Sequence, residues 1–185
     1  MNDSRVTFTR KNGFTLMELL VVIVIISIAF SLFITVNFSF SNPSDAIHKE
    51  ALRLQRLLEF AHEQSVLRAE EYGLRVNEAR YRFMRLDELT GKWVELEQDK
   101  LLRARDLPDS MNFELSIEDV DVILDREDAE QDDPDVELKP QVFLLSSGEL
   151  TPDFKLRLRF AGFDDYYELH GMPMGKYELA EIKDE

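Results

Sequence analysis

The sequence predicts an α+β protein in which a long N-terminal helix, transmembrane and then amphipathic, packs on an antiparallel β-rich head. Three observations predict it. Leu16 to Val36 is a run of twenty-one residues whose only charge is Glu18, and about twenty apolar residues at roughly 1.5 Å each cross a hydrocarbon core. Ile47, Ala51, Leu54, Leu58, Ala61, Ser65, Ala69 and Tyr72 recur at steps of three and four, one stripe of an amphipathic helix. From Leu74 onward, short runs interleave apolar with charged residues, the period of half-buried strands.

Residues 1–13 form a basic stub, 14–40 the membrane helix, 41–72 the amphipathic helix and 73–185 the head. A cleaved secretory signal fits the N-terminal run poorly: its apolar core spans only about 7 to 15 residues and ends at a small-residue site. Arg5, Arg10 and Lys11 precede the run, and the first charge after it is Asp45, so the N-terminus is expected on the cytoplasmic side and the head outside. The chain contains no cysteine, so the head must stand on its hydrophobic interior alone. Its 22 Lys and Arg against 37 Asp and Glu make a formal charge of −15. Without the stub, which has three basic residues and one acid, 19 basic residues face 36 acids, a charge of −17. Such a surface repels nucleic acid and anionic lipid headgroups and favours basic partners or cations.

Glu18 is the residue that needs explaining. An acid at the centre of a membrane helix costs about 3 kcal/mol, less near the interface, and is tolerated with a partner or a use. Either Glu18 lies in the headgroup layer or it meets a positive charge. Cleavage after Gly13 would supply one, because Phe14 would then carry a free amine one helical turn from Glu18.

The stretch Lys11-Asn-Gly-Phe-Thr-Leu-Met-Glu-Leu-Leu-Val-Val-Ile23 resembles the leader junction of type IV pilin-like prepilins, which include the pseudopilins of type II secretion systems. The resemblance implies that residues 1–13 are a leader peptide, that a membrane-embedded peptidase cuts between Gly13 and Phe14 and methylates Phe14, and that Glu18 pairs with the N-terminal amine of a neighbouring subunit. The physics agrees, since opposite charges in a low-dielectric setting attract strongly and relieve each other's desolvation.

Past the membrane run, Asn42-Pro43-Ser44-Asp45 is a helix-start pattern with Asn42 as N-cap, and the stripe is expected to end at Gly73. The stripe could serve a coiled-coil partner, but packing against the chain's own sheet is the commoner use. Leu74 to Val76 and Tyr81 to Leu86 read as a hairpin, with Tyr81, Phe83 and Arg85 on one face and Arg82, Met84 and Leu86 on the other. Trp93 to Leu96, Met111 to Ile117, Val142 to Leu145 and Phe154 to Phe160 are further strands, and Tyr166 to Leu169 and Tyr177 to Leu179 carry weaker signals. Short connections make the sheets antiparallel. Tyr72-Gly-Leu-Arg75, the Trp93 strand, Arg103-x-Arg105-x-Leu107-Pro108 and Ser146-Ser-Gly-Glu-Leu-Thr-Pro152 are similar to the GspH/FimT group of pilin-like proteins.

Between Glu118 and Glu137 eleven acids face Arg126 alone, and repulsion predicts a solvated acidic loop at about 118–137, most of it extended. A calcium site is the other reading, but the glycine and ligand spacing of an EF-hand loop are missing. His48, His62 and His170 form no HExxH pair, and Ser146-Ser147-Gly148 lacks a nucleophile elbow's context and reads as turn chemistry. His48 and His62 read as exposed or flanking helix residues. No catalytic residue, metal site or cofactor is expected. The resemblance implies a minor pseudopilin, a structural subunit at the tip of the periplasmic pseudopilus of the type II secretion system, with other major and minor pseudopilins, the prepilin peptidase and the inner membrane as partners and no nucleic acid. The alternatives are a FimT-like minor pilin that binds DNA through Lys155, Arg157 and Arg159, and a membrane-anchored enzyme.

Overall fold

The computed structural model describes residues 16–38, 43–125 and 138–183. Residues 1–41 and 42–185 form two compact units. The first contributes helix α1, Leu16–Phe38.

In the second unit helix α2, Pro43–Arg68, begins with proline, whose missing N–H costs nothing there, and with Asp45 in the first turn; Asn42, expected as its cap, lies outside the described residues. Ile47, Ala51, Leu54, Leu58, Ala61 and Ser65 are all buried, none more than 3% exposed. The helix ends earlier than the spacing predicts. Ala69 takes a left-handed conformation with φ 53°, the Glu70 N–H closes on Ser65 O at 3.1 Å, and Ala69 is exposed while Tyr72 is buried as the first residue of a strand. Gly73 is thus no helix stop. It lies inside that strand, where a Cβ would come within 2.5 Å of Pro140.

Among the described residues eleven strands follow: β1 Tyr72–Val76, β2 Arg80–Asp87, β3 Lys92–Glu95, β4 Arg105–Asp106, β5 Met111–Ile117, β6 Val120–Val122, β7 Val142–Leu144, β8 Leu150–Thr151, β9 Phe154–Phe160, β10 Tyr166–Met172 and β11 Lys176–Ile182. They make two sheets, β3-β2-β1-β7-β8 with β4 also on β2, and β11-β10-β9-β5-β6. All pairings are antiparallel. Helix α2 packs on β1 and β7 of the first sheet and on β9, β10 and β11 of the second. One core joins the α2 stripe to Leu74, Phe83, Phe113, Leu156 and Leu169.

Both faces of β2 are covered: Tyr81, Arg82, Phe83 and Met84 are each at most 1% exposed. Register puts Met84 beside Gly73, with Phe143 across from Gly73, and Leu86 beside Trp93. The second face is therefore an apolar layer of its own, with the Trp93 and Phe143 rings 5.6 Å apart. Arg82, inside it, ion-pairs with Glu95.

The acidic segment is not uniformly extended, and this corrects the expectation for its first third. Glu118 and Asp119, both left-handed with φ of 50° and 62°, make a two-residue turn that folds β6 back on β5. Ser116 donates to Asp121 at 2.6 Å, Lys155 pairs with Asp119 at 2.5 Å, and Leu124 is buried. Ion pairing and apolar alternation outweigh the repulsion there. Residues 126–137 lie outside the described residues.

Candidate functional site

The residues that the sequence marks for function stand at the start of the chain. Gly13 and Phe14 lie outside the described residues. Glu18 is exposed in the first turn of α1, where aligned peptide dipoles favour negative charge. Four positions in sequence separate it from Phe14. Every described side chain of α1, Leu16 to Ser27, is exposed. Its large apolar ones range from 43% at Val22 to 86% at Leu16. A helix apolar on every side must be covered by lipid or by other helices. Among the described residues no helix is long and apolar enough to cross a membrane; the described side chains of α1 stop at Ser27, whereas the apolar run continues in the sequence to Val36.

The other polar clusters fix α2 to the head. Tyr81 donates to Glu50 at 3.0 Å, and Glu50 also holds Arg53 at 2.6 Å. Ser65 donates to His62 O at 2.7 Å and to Leu145 O at 3.2 Å. The Glu71 carboxylate accepts from both the N–H and the hydroxyl of Ser146, at 3.1 and 2.7 Å, in the turn where Gly148 has φ 85°. This spends Ser146 on tying the turn to the start of β1.

His62 corrects the reading of an exposed or flanking helix residue. It is 7% exposed, its Nδ1 lies 3.0 Å from the Tyr177 hydroxyl, and a Cβ on Gly175 would strike its ring at 2.3 Å. Burial pushes its pKa below the usual 6.5, with a hydrogen bond to the Gly148 backbone acting the other way. Burial likewise raises the Tyr177 phenol, and nearby Glu59 adds to the effect. The signal was present in the spacing, because His62 follows Leu58 by four and Ala61 by one. His48 is exposed, edge-on to Tyr167 with ring centres 5.1 Å apart.

The basic row on β9 is neutralised from within. Lys155 pairs with Asp119 at 2.5 Å, Arg157 with Glu168 at 3.0 Å and Arg159 with Glu114 at 2.9 Å, and Arg159 also lies over the Tyr166 ring at 4.2 Å. Phosphates would have to displace three carboxylates to reach that row. Among the described residues no group of three His, Cys, Asp or Glu side chains could hold a metal ion. Of the remaining histidines, His170 meets Asp153 at 3.0 Å.

Comparison with known proteins reaches the same places. Residues 8–34 match the family described as the prokaryotic N-terminal methylation motif. Type II secretion system protein H of Pseudomonas aeruginosa is 34% identical over 150 residues, covering 81% of this chain and 84% of that protein. Its counterpart in Aeromonas hydrophila is 29% identical over 144 residues, 77% and 78% of the two chains. Among solved structures, the minor pseudopilin EpsH from the type 2 secretion system of Vibrio cholerae superposes with a TM-score of 0.58 at 22% identity, over 74% of this chain and 97% of that one. The solution structure of Escherichia coli GspH gives 0.55 at 20%, over 77% and 94%. At those identities the structures speak for the fold alone, an N-terminal helix packed on antiparallel sheets.

Proposed function

Because the chain belongs to the type II secretion system protein H family, the minor pseudopilins, we propose that it is cut between Gly13 and Phe14, methylated on Phe14 and built into the tip of a periplasmic pseudopilus. As a member of that family it is a structural subunit and not an enzyme. The prepilin peptidase processes it in the inner membrane; α1 then anchors it with its N-terminus cytoplasmic and its head periplasmic, until other major and minor pseudopilins take it up.

One observation carries the reading: a carboxylate, Glu18, stands in the first turn of a helix that is apolar on all its described sides, four positions in sequence beyond the residue that cleavage would expose. Phe14's new amine and a neighbour's Glu18 are complementary charges, and lipid hydrocarbon offers neither of them a counter-charge. Assembly pairs them, and the apolar flanks exchange lipid for other helices. Intact-mass analysis of the chain extracted from membranes tests the processing. The expected mass corresponds to methylated Phe14–Glu185. Met1 retained in cells with an active peptidase, or a cut near residue 40, would end this reading.

A further inference from the structure

Helix α2 carries a second stripe, whose cations are exposed and whose apolar residues reach the edge of the core. Lys49, Arg53, Arg56 and Phe60 follow one another at steps of four, three and four, and Leu52 and Leu57 flank them. With Leu101, which rises from the loop between β3 and β4 and is 49% exposed, they line a groove of about 460 Å³. The stripe spans eleven positions, about 16 Å along the helix.

Its charge sets it apart from the basic row on β9. In a chain of net charge −15, the cations on β9 are each paired with a carboxylate. On this stripe Arg53 is held by Glu50, whereas Lys49 and Arg56 have no ion pair or hydrogen bond among the described residues. Positive charge left unpaired over an apolar floor is the complement of an acidic, apolar surface. A straight seam read at i, i+4 and i+7 beside a low wall is what one helix offers another.

We propose that this groove receives a helix of a neighbouring pilin-like subunit, one whose apolar side chains fill the space between Phe60 and Leu101 and whose Asp or Glu residues meet Lys49 and Arg56. The proposal rests on the assembly role given above and names the surface that role would use. A lipid headgroup layer is the less suitable occupant: it is flat where the groove is walled, and its anionic lipids are repelled by the acidic chain as a whole.

The test uses the full-length chain in cells that carry the rest of the secretion system. A photo-crosslinking residue at Leu101 should give an adduct with another pseudopilin, at a peptide that contains acids. Lys49→Glu with Arg56→Glu should lower co-recovery of that partner at least tenfold, with the melting of the head unchanged. Lys92→Glu, an exposed cation outside the groove, should leave recovery as in wild type. Reversing the crosslinked acid on the partner should restore part of the loss. Adducts with lipid, no adduct while assembly proceeds, or undiminished recovery of the double variant would each overturn the groove and leave the assembly role standing. If the unmodified chain recovers no pseudopilin at all, the assembly role fails and the groove with it.

Discussion

Helices α1 and α2 are nearly equal in length, 23 and 26 residues, and differ in where their apolar side chains go. On α2 most of them gather on one side, where six buried positions from Ile47 to Ser65 sink into the head. The described part of α1 is apolar on every side, and nothing there is buried. The difference teaches how a chain divides its labour. A one-sided helix builds the fold that contains it, whereas an all-sided helix stores apolar surface for a medium or partner that arrives later. The only charge on the second kind then becomes the most informative residue in the molecule.

The largest break between the helices should appear at Leu58, which is fully buried. Leu58→Ala is expected to destabilise the head by about 2–5 kcal/mol, since it removes transfer energy and leaves a cavity. Ile23→Ala on α1 should leave the melting of the head unchanged. Calorimetry of the detergent-extracted chain compares the two, and equal losses would mean that α1 is part of the head's core.

Arg82→Ala should come next, at about 3 kcal/mol, because it strands the Glu95 carboxylate beside a buried layer. Urea unfolding measures it. A loss under about 0.5 kcal/mol would place Arg82 among surface ion pairs.

A smaller and conditional effect belongs to His62. Its folded pKa is lowered by burial, so the unfolded chain takes up the proton first as the pH falls. The stability it contributes is complete above about 6.5 and is lost between there and the lowered folded value. Melting temperatures between pH 7.5 and 5.5 should therefore decline in wild type and decline less in His62→Gln. Asp99 and Asp106, whose pKa values are lowered by hydrogen bonds from the Leu102 backbone and from Arg80, act only below about pH 4. Equal slopes in the two chains would remove His62 from the account.

Periodicity made α1, most of α2 and the longer strands legible, because burial on one side imposes a repeat on the sequence. It was least informative where two layers meet. Arg82 reads as an ordinary outward residue until Trp93 and Phe143 are seen to roof that face. Gly73 reads as a helix stop until Pro140 is found packed above it. Both depend on residues far away in sequence, which no local pattern records. The strands β4, β6 and β8, of two or three residues, are too short to carry a period. Ser146, the β9 cations and His62 mark no chemistry in the head, since all are spent on internal bonds. Glu18 was legible because an acid in such a run has so few uses.

Glu18 also offers the most direct measurement. In membranes that contain the other pseudopilins, Glu18→Leu should insert and be cleaved as before, since the run only becomes more apolar. Its co-recovery with those subunits should fall at least tenfold, because the neighbouring amine loses its counter-charge. Recovery equal to that of the unaltered chain would contradict the account and leave Glu18 as a residue of the headgroup layer.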